Sequence, residues 1–237
     1  MTDEIPYYVY VVFILTTLAT FGFLFYGFKR AEADKSNTAL FISTFLIVWL
    51  FFIGILALYG WFADFDTLPP KLAVVILPPN LFAILIIFNK RSRPFLMRIP
   101  ITSLTYLHLV RVPVEIVLWW LALVKWLPFL LTFEGINYDI LSGVSAPFVA
   151  IFMVGLRSKV KLGAIIWNIA ALLLLINIVS HAFLATPLPF QKFGFDQPNI
   201  AVFYFPFVWL PGFIVPAVLF AHLTSLLQLF TQNDETS

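Results

Sequence analysis

To cross the hydrocarbon core of a bilayer, about 30 Å thick, a helix needs roughly 20 successive residues with almost no charge. This chain supplies such runs repeatedly. They lie at about residues 6–28, 38–61, 72–89, 101–123, 140–156, 162–184 and 202–230, and polar or basic segments separate them. The expected fold is therefore all-α, a seven-transmembrane-helix bundle formed as one integral membrane domain over residues 1–237. Composition leads to the same class: 62% of residues are hydrophobic, 11% are charged and the mean hydropathy is +0.99, far above that of soluble domains. The lipid bilayer is thus the first partner.

Cytoplasmic loops of membrane proteins hold the excess of Lys and Arg, which makes orientation testable. The segments after the first, third and fifth runs carry Lys29, Arg30, Lys35, Lys90, Arg91, Arg93, Arg98, Arg157, Lys159 and Lys161. The opposite side has only Lys71, Lys125 and Lys192. This places the N-terminus outside and the C-terminus, with an acidic tail containing Asp234 and Glu235, in the cytoplasm. Met1–Pro6 has no Lys or Arg, so it lacks the basic start of a cleaved signal peptide. The absence of cysteine excludes disulfides, thiolate metal sites, iron–sulfur ligation and cysteine nucleophiles. The net charge of +2 is small and its basic residues lie in short loops, which excludes a nucleic-acid partner.

One basic residue escapes the loops. Arg111 lies within the fourth run with Glu115 four residues on and His108 three residues before, so at helical spacing all three share one face. A charge in the middle of a bilayer is expensive unless paired or wetted. An Arg111–Glu115 pair could serve as a structural lock or as part of a working site. Glu115 falls in the outer half, where Glu134, Asn137 and Asp139 also come, together with Asn177 and His181 on one face of the sixth run. These residues suit a polar vestibule or a path for a proton or small solute, although Asn168 and Asn177 also suit interhelical glue. His108 and His222 fall at matched depth on different helices, as a metal or bis-imidazole haem site would need. Pro78 and Pro79 are expected to kink or unwind the third run, and Pro147 to interrupt the short fifth.

Other chemistries lack their residues. Residues 202–230 contain no lysine for a retinal Schiff base, no His–Glu–x–x–His pattern occurs, neither Ser142 nor Ser145 stands in a Gly-x-Ser-x-Gly frame, and there is no Gly-rich phosphate loop.

Three segments resemble a family of small bacterial integral membrane proteins: Arg111–Val112–Pro113–Val114–Glu115, then Leu131–Thr132–Phe133–Glu134–Gly135 through Tyr138–Asp139–Ile140–Leu141, and Trp209–Leu210–Pro211 through Val215–Pro216 with His222. The resemblance covers roughly the last two-thirds of the chain. It implies a helical bundle of the bacterial inner membrane and carries over no catalytic residue. The function expected from all of this is binding or passage of a small solute, ion or proton through a polar interior. The alternatives are a haem- or metal-binding redox protein built on His108 and His222, and a non-catalytic membrane partner with a structural ion pair. The cofactor, if any, stays open.

Overall fold

The computed structural model describes residues 2–32, 37–155 and 160–231; Lys35, Arg157, Lys159 and the acidic tail lie outside them. All regular structure among the described residues is helical. Helix α1 (Tyr7–Ala31) is followed by α2 (Thr38–Leu58), α3 (Ala73–Phe88) and the short α4 (Arg93–Leu96). Helix α5 (Ile101–Leu107) passes through a 3₁₀ turn at His108–Val110 into α6 (Arg111–Leu123). Helix α7 (Asp139–Val149) continues as a π-helical stretch over Ala150–Gly155, α8 is Lys161–Leu184, and α9 (Val215–Thr231) is preceded by a π-helical stretch at Leu210–Ile214.

Five helical segments are long and apolar enough to cross a membrane: Tyr7–Ala31, Thr38–Leu58, Ile101–Leu123, Lys161–Leu184 and Leu210–Thr231. The chain is a multi-pass helical membrane protein. The third and fifth expected spans are shorter, Ala73–Phe88 and Asp139–Gly155. At 1.5 Å per residue the first of these covers about 24 Å, less than the hydrocarbon thickness. The seventh differs from expectation, since its helix begins at Leu210 rather than near 202. Pro206 and Pro211 each remove a backbone donor from that approach, and the chain there forms a 3₁₀ turn (Ala201–Phe203) and bends instead.

Burial sorts the helices. Two-thirds of the last span, 67% of its most apolar window, is buried inside the protein, against 22% for Thr38–Leu58. The last span is therefore the axis of the bundle, packed by α3, α5 and α8, while α2 lies at its lipid-facing edge. Helix α1 closes the other side against α2, α5 and α6.

The prolines set local detail. Pro113 has no N–H to offer the Leu109 carbonyl, which accounts for the 3₁₀ turn one turn before it. Helix α3, by contrast, runs through Pro78 and Pro79, and the Asn80 Nδ2 donates to the Ile76 carbonyl at 2.7 Å. Pro216 likewise cannot pair with the Gly212 carbonyl; the Trp49 indole of α2 donates to that oxygen at 2.9 Å, and Trp209 returns the bond to the Leu50 carbonyl at 2.9 Å. Gly212 permits this approach, since a Cβ there would lie 2.6 Å from Ile53 Cδ1 and 2.7 Å from Val75 Cγ1.

Polar side chains tie the ends. Gln228 Nε2 donates to the Leu96 and Ile99 carbonyls at 2.7 and 2.8 Å, joining α9 to the basic end. At the opposite end Gln197 Nε2 donates to the Ala122 carbonyl at 2.9 Å and to that of Leu127. In the loop between α2 and α3, Lys71 and Thr67 bond to Asp64 and pull its carboxyl down to about 2.

Candidate functional site

The buried charges gather where α6, α7, α8 and α9 meet. Arg111 opens α6 directly after the 3₁₀ turn and is 2% exposed. Its Nε donates to Asp139 Oδ2 at 2.6 Å and its Nη2 to Asp139 Oδ1, a two-pronged pair in which both side chains are buried. Nη2 also donates to the Ala171 carbonyl of α8 at 3.0 Å, and Nη1 to His222 Nε2 of α9 at 3.1 Å. One guanidinium thus bridges three neighbouring helices.

A guanidinium can only donate, so His222 Nε2 must accept, and its proton lies on Nδ1. Nδ1–H then donates to Asn168 Oδ1 at 3.0 Å, while Asn168 Nδ2 donates back to the Ala164 carbonyl at 2.9 Å. Asn168 is interhelical glue as well as the orienter of His222.

Asp139 reaches Arg111 because α7 lies unusually close on α6. A Cβ on Gly143 would come 2.8 Å from Val112 Cγ2 and 3.0 Å from the Val112 backbone nitrogen. We expect Gly143→Leu to force the two helices apart, with about 1–3 kcal/mol of overpacking strain and a lower unfolding midpoint in detergent. An unchanged midpoint would show that α7 need not rest on α6.

The expected Arg111–Glu115 pair does not form, and this is a correction. Arg111 is taken by Asp139, and Glu115 takes both of its contacts from Asn137: Nδ2 lies 2.7 Å from each carboxylate oxygen and 3.0 Å from the Leu131 carbonyl. The fork of an arginine is matched by a facing carboxylate that presents both oxygens, and Asp139 does so from the first turn of α7, where the helix dipole also favours negative charge. Asn137 completes the arrangement, since its Oδ1 accepts the Asp139 backbone N–H at 3.1 Å. The residues Arg111, Glu115, Asn137 and Asp139 are therefore one connected network, all of them buried.

The two histidines do meet. The His108 and His222 rings stack with centroids 3.9 Å apart and planes 27° from parallel, and Trp167 packs its ring edgewise on His108 at 5.3 Å. This arrangement does not fit a bis-imidazole haem, whose axial rings face each other across an iron: here they lie in van der Waals contact and both nitrogens of His222 are engaged. Among the described residues no group of three or more His, Asp or Glu side chains is placed to hold a metal ion. His108 is fully buried and neither of its ring nitrogens has a hydrogen-bond partner.

The other expected residues lie apart. Glu134 is exposed on the loop before α7. Asn177 Nδ2 donates to the Ile136 carbonyl at 3.4 Å and so ties α8 to the loop, while His181 Nδ1 meets the Asn177 carbonyl within α8 at 2.8 Å and its ring packs on Phe193 at 5.0 Å; neither side chain joins the charged network.

Next to the network is a cavity of about 80 Å³ whose lining is apolar apart from Glu115, Asp139 and Asn199. Val114, Leu118 and Leu121 of α6 face Leu175, Ile178 and Ala182 of α8 across it, both sets at helical spacing. Asn199, which the sequence marked only as part of a loop, belongs to the site because its backbone N–H bonds to the Ala185 carbonyl at 2.8 Å and its Nδ2 to Ala182 at 3.1 Å. No local sequence signal points to that docking.

Fold and site together define a multi-pass α-helical membrane protein with buried charged and polar groups at its centre. Comparison with protein-family models, curated proteins and solved structures finds no match to this chain, so no family is identified, including the bacterial one that its motifs resemble.

Proposed function

We propose that the protein binds a small solute or ion inside the membrane and exchanges a proton at Glu115. In this reading Arg111 and Asp139 form the fixed frame, Asn137 positions Glu115, and the cavity above it admits the solute. The observation that carries the reading is the position of Glu115: a buried carboxyl lining a cavity, with an amide as its partner because the neighbouring cation is consumed by Asp139. The proposal includes seven passes through a bacterial cytoplasmic membrane with the N-terminus outside. The two short helices then count as spans, which the Lys and Arg distribution supports.

The test is reconstitution in liposomes loaded with a pH-sensitive dye. Wild type should dissipate an imposed pH gradient, and Glu115→Gln, which keeps an Asn137 partner, should slow this at least tenfold. Equal rates in empty liposomes, wild type and Glu115→Gln, together with unchanged solute binding, would overturn the reading.

A further inference from the structure

The cavity also carries information about what enters it. Its polar groups are Glu115 and Asp139 near one end and Asn199 toward the other, with the α8 residues Leu175 to Ala182 between them, two turns or roughly 10 Å. Asp139 has no unmatched charge to offer, since the Arg111 guanidinium donates to both of its oxygens. Glu115 does. The Asn137 amide has two protons for three acceptors, the two carboxylate oxygens and the Leu131 carbonyl, which leaves acceptor capacity on the carboxylate. Asn199 is 2% exposed, its Nδ2 is engaged, and its Oδ1 has no partner. Glu115 is therefore the charged acceptor in the cavity wall, whereas the Asn199 Oδ1 is buried and its Nδ2 keeps a second N–H beyond the bond to Ala182.

Charge points the same way. The network has two carboxyl groups and one guanidinium, and Arg111 is not in the cavity wall, its nitrogens being directed to Asp139, His222 and Ala171. An anion entering the cavity would meet the Glu115 carboxylate with no cation in the wall to receive it. A monocation would complete the set of charges at Glu115. The wall between is apolar, so its body should be apolar too. Size bounds that body. A cavity of 150 Å³ takes benzene, with its six heavy atoms, so one of about 80 Å³ takes about three to four.

We infer that the cavity beside Glu115 is a binding site for a small primary alkylammonium ion, with the ammonium on the Glu115 carboxylate and the short alkyl chain directed along α8 toward Asn199. This rests on the reading of Glu115 as a working carboxyl and names the class of solute for it.

The experiment is calorimetric titration of the full chain in lipid nanodiscs with alkylammonium chlorides from methyl to hexyl, and with the matching alcohols and carboxylates. Affinity should peak at ethyl- or propylammonium and fall at least tenfold by hexylammonium. Propanol should bind at least tenfold more weakly than propylammonium, and propanoate should give no heat above dilution. Glu115→Gln should weaken propylammonium at least tenfold. Ala182→Leu, which fills the cavity from α8 and leaves both carboxyls in place, should do the same and serves if Glu115→Gln fails to fold. Propanol or propanoate binding as tightly as propylammonium, or propylammonium binding unchanged in Ala182→Leu, overturns the inference. Proton flux that depends on Glu115 without any ammonium binding would remove this solute class and leave the proton reading standing; the loss of both dependences would remove both.

Discussion

Asp139→Asn is expected to destabilise the protein by about 3–5 kcal/mol, the cost of leaving one member of a buried ion pair without its counter-charge. Arg111 donates to both Asp139 oxygens from a site that is 2% exposed, and its remaining partners, the Ala171 carbonyl and His222 Nε2, are neutral. An asparagine keeps the shape but can accept with only one atom and turns an amide N–H toward the guanidinium. Arg111→Met should cost a similar amount, because it strands Asp139 and removes the donor to His222. The double variant Arg111→Met with Asp139→Leu should recover most of the loss, since well-packed apolar replacements of buried pairs are often neutral or stabilising. Unfolding of each variant in mixed detergent micelles measures this cycle. If the two single losses simply add in the double variant, the pair is not the source of the cost.

Asn137→Leu should be comparably severe, at about 3–5 kcal/mol, although no charge is removed from the chain. Three groups lose a partner together: the Glu115 carboxylate, the Leu131 carbonyl and the backbone N–H of Asp139. Each buried group left unsatisfied costs about 1–3 kcal/mol. The contrasting variant is Asn137→Asp, which preserves the acceptor for the Asp139 N–H but sets a second carboxylate against Glu115. Asn137→Asp should therefore recover stability as the solution is acidified, whereas Asn137→Leu should not. Melting curves across a pH series separate the two, and parallel curves would mean that Asn137 acts on α7 alone.

Much of this was legible in the chain before any coordinates. The apolar runs placed the long helices, and the odd charge at Arg111 with the Glu115 and Asp139 carboxyls marked the centre, because buried charge in an apolar run has few bland explanations. The depth argument also put His108 and His222 together. What the sequence could not show is partner choice. Arg111 and Glu115 are neighbours along one helix face, and only the close approach of α7, permitted at Gly143, reveals that Asp139 presents a better-matched acceptor. Asn199 is the same kind of case: its role depends on how a loop folds back over the ends of α6 and α8, a long-range event without a local periodic signature. The seventh expected span began too early, since its helix starts only at Leu210, and α3 runs on through the prolines expected to kink or unwind it, because the cost of a proline depends on whether neighbours can satisfy the carbonyl it frees.

The reciprocal indole bonds between α2 and the last span have a mechanical consequence. Trp49 holds the carbonyl that Pro216 leaves free, and Trp209 holds Leu50 on α2, so the two helices are fastened by bonds running in opposite directions at the π-helical bend. Straightening or swivelling that bend would expose the Gly212 carbonyl to hydrocarbon unless α2 travelled with it. The edge helix and the buried axis are therefore fastened at two points, so that a change in the tilt of one requires a matching change in the other if both bonds are kept.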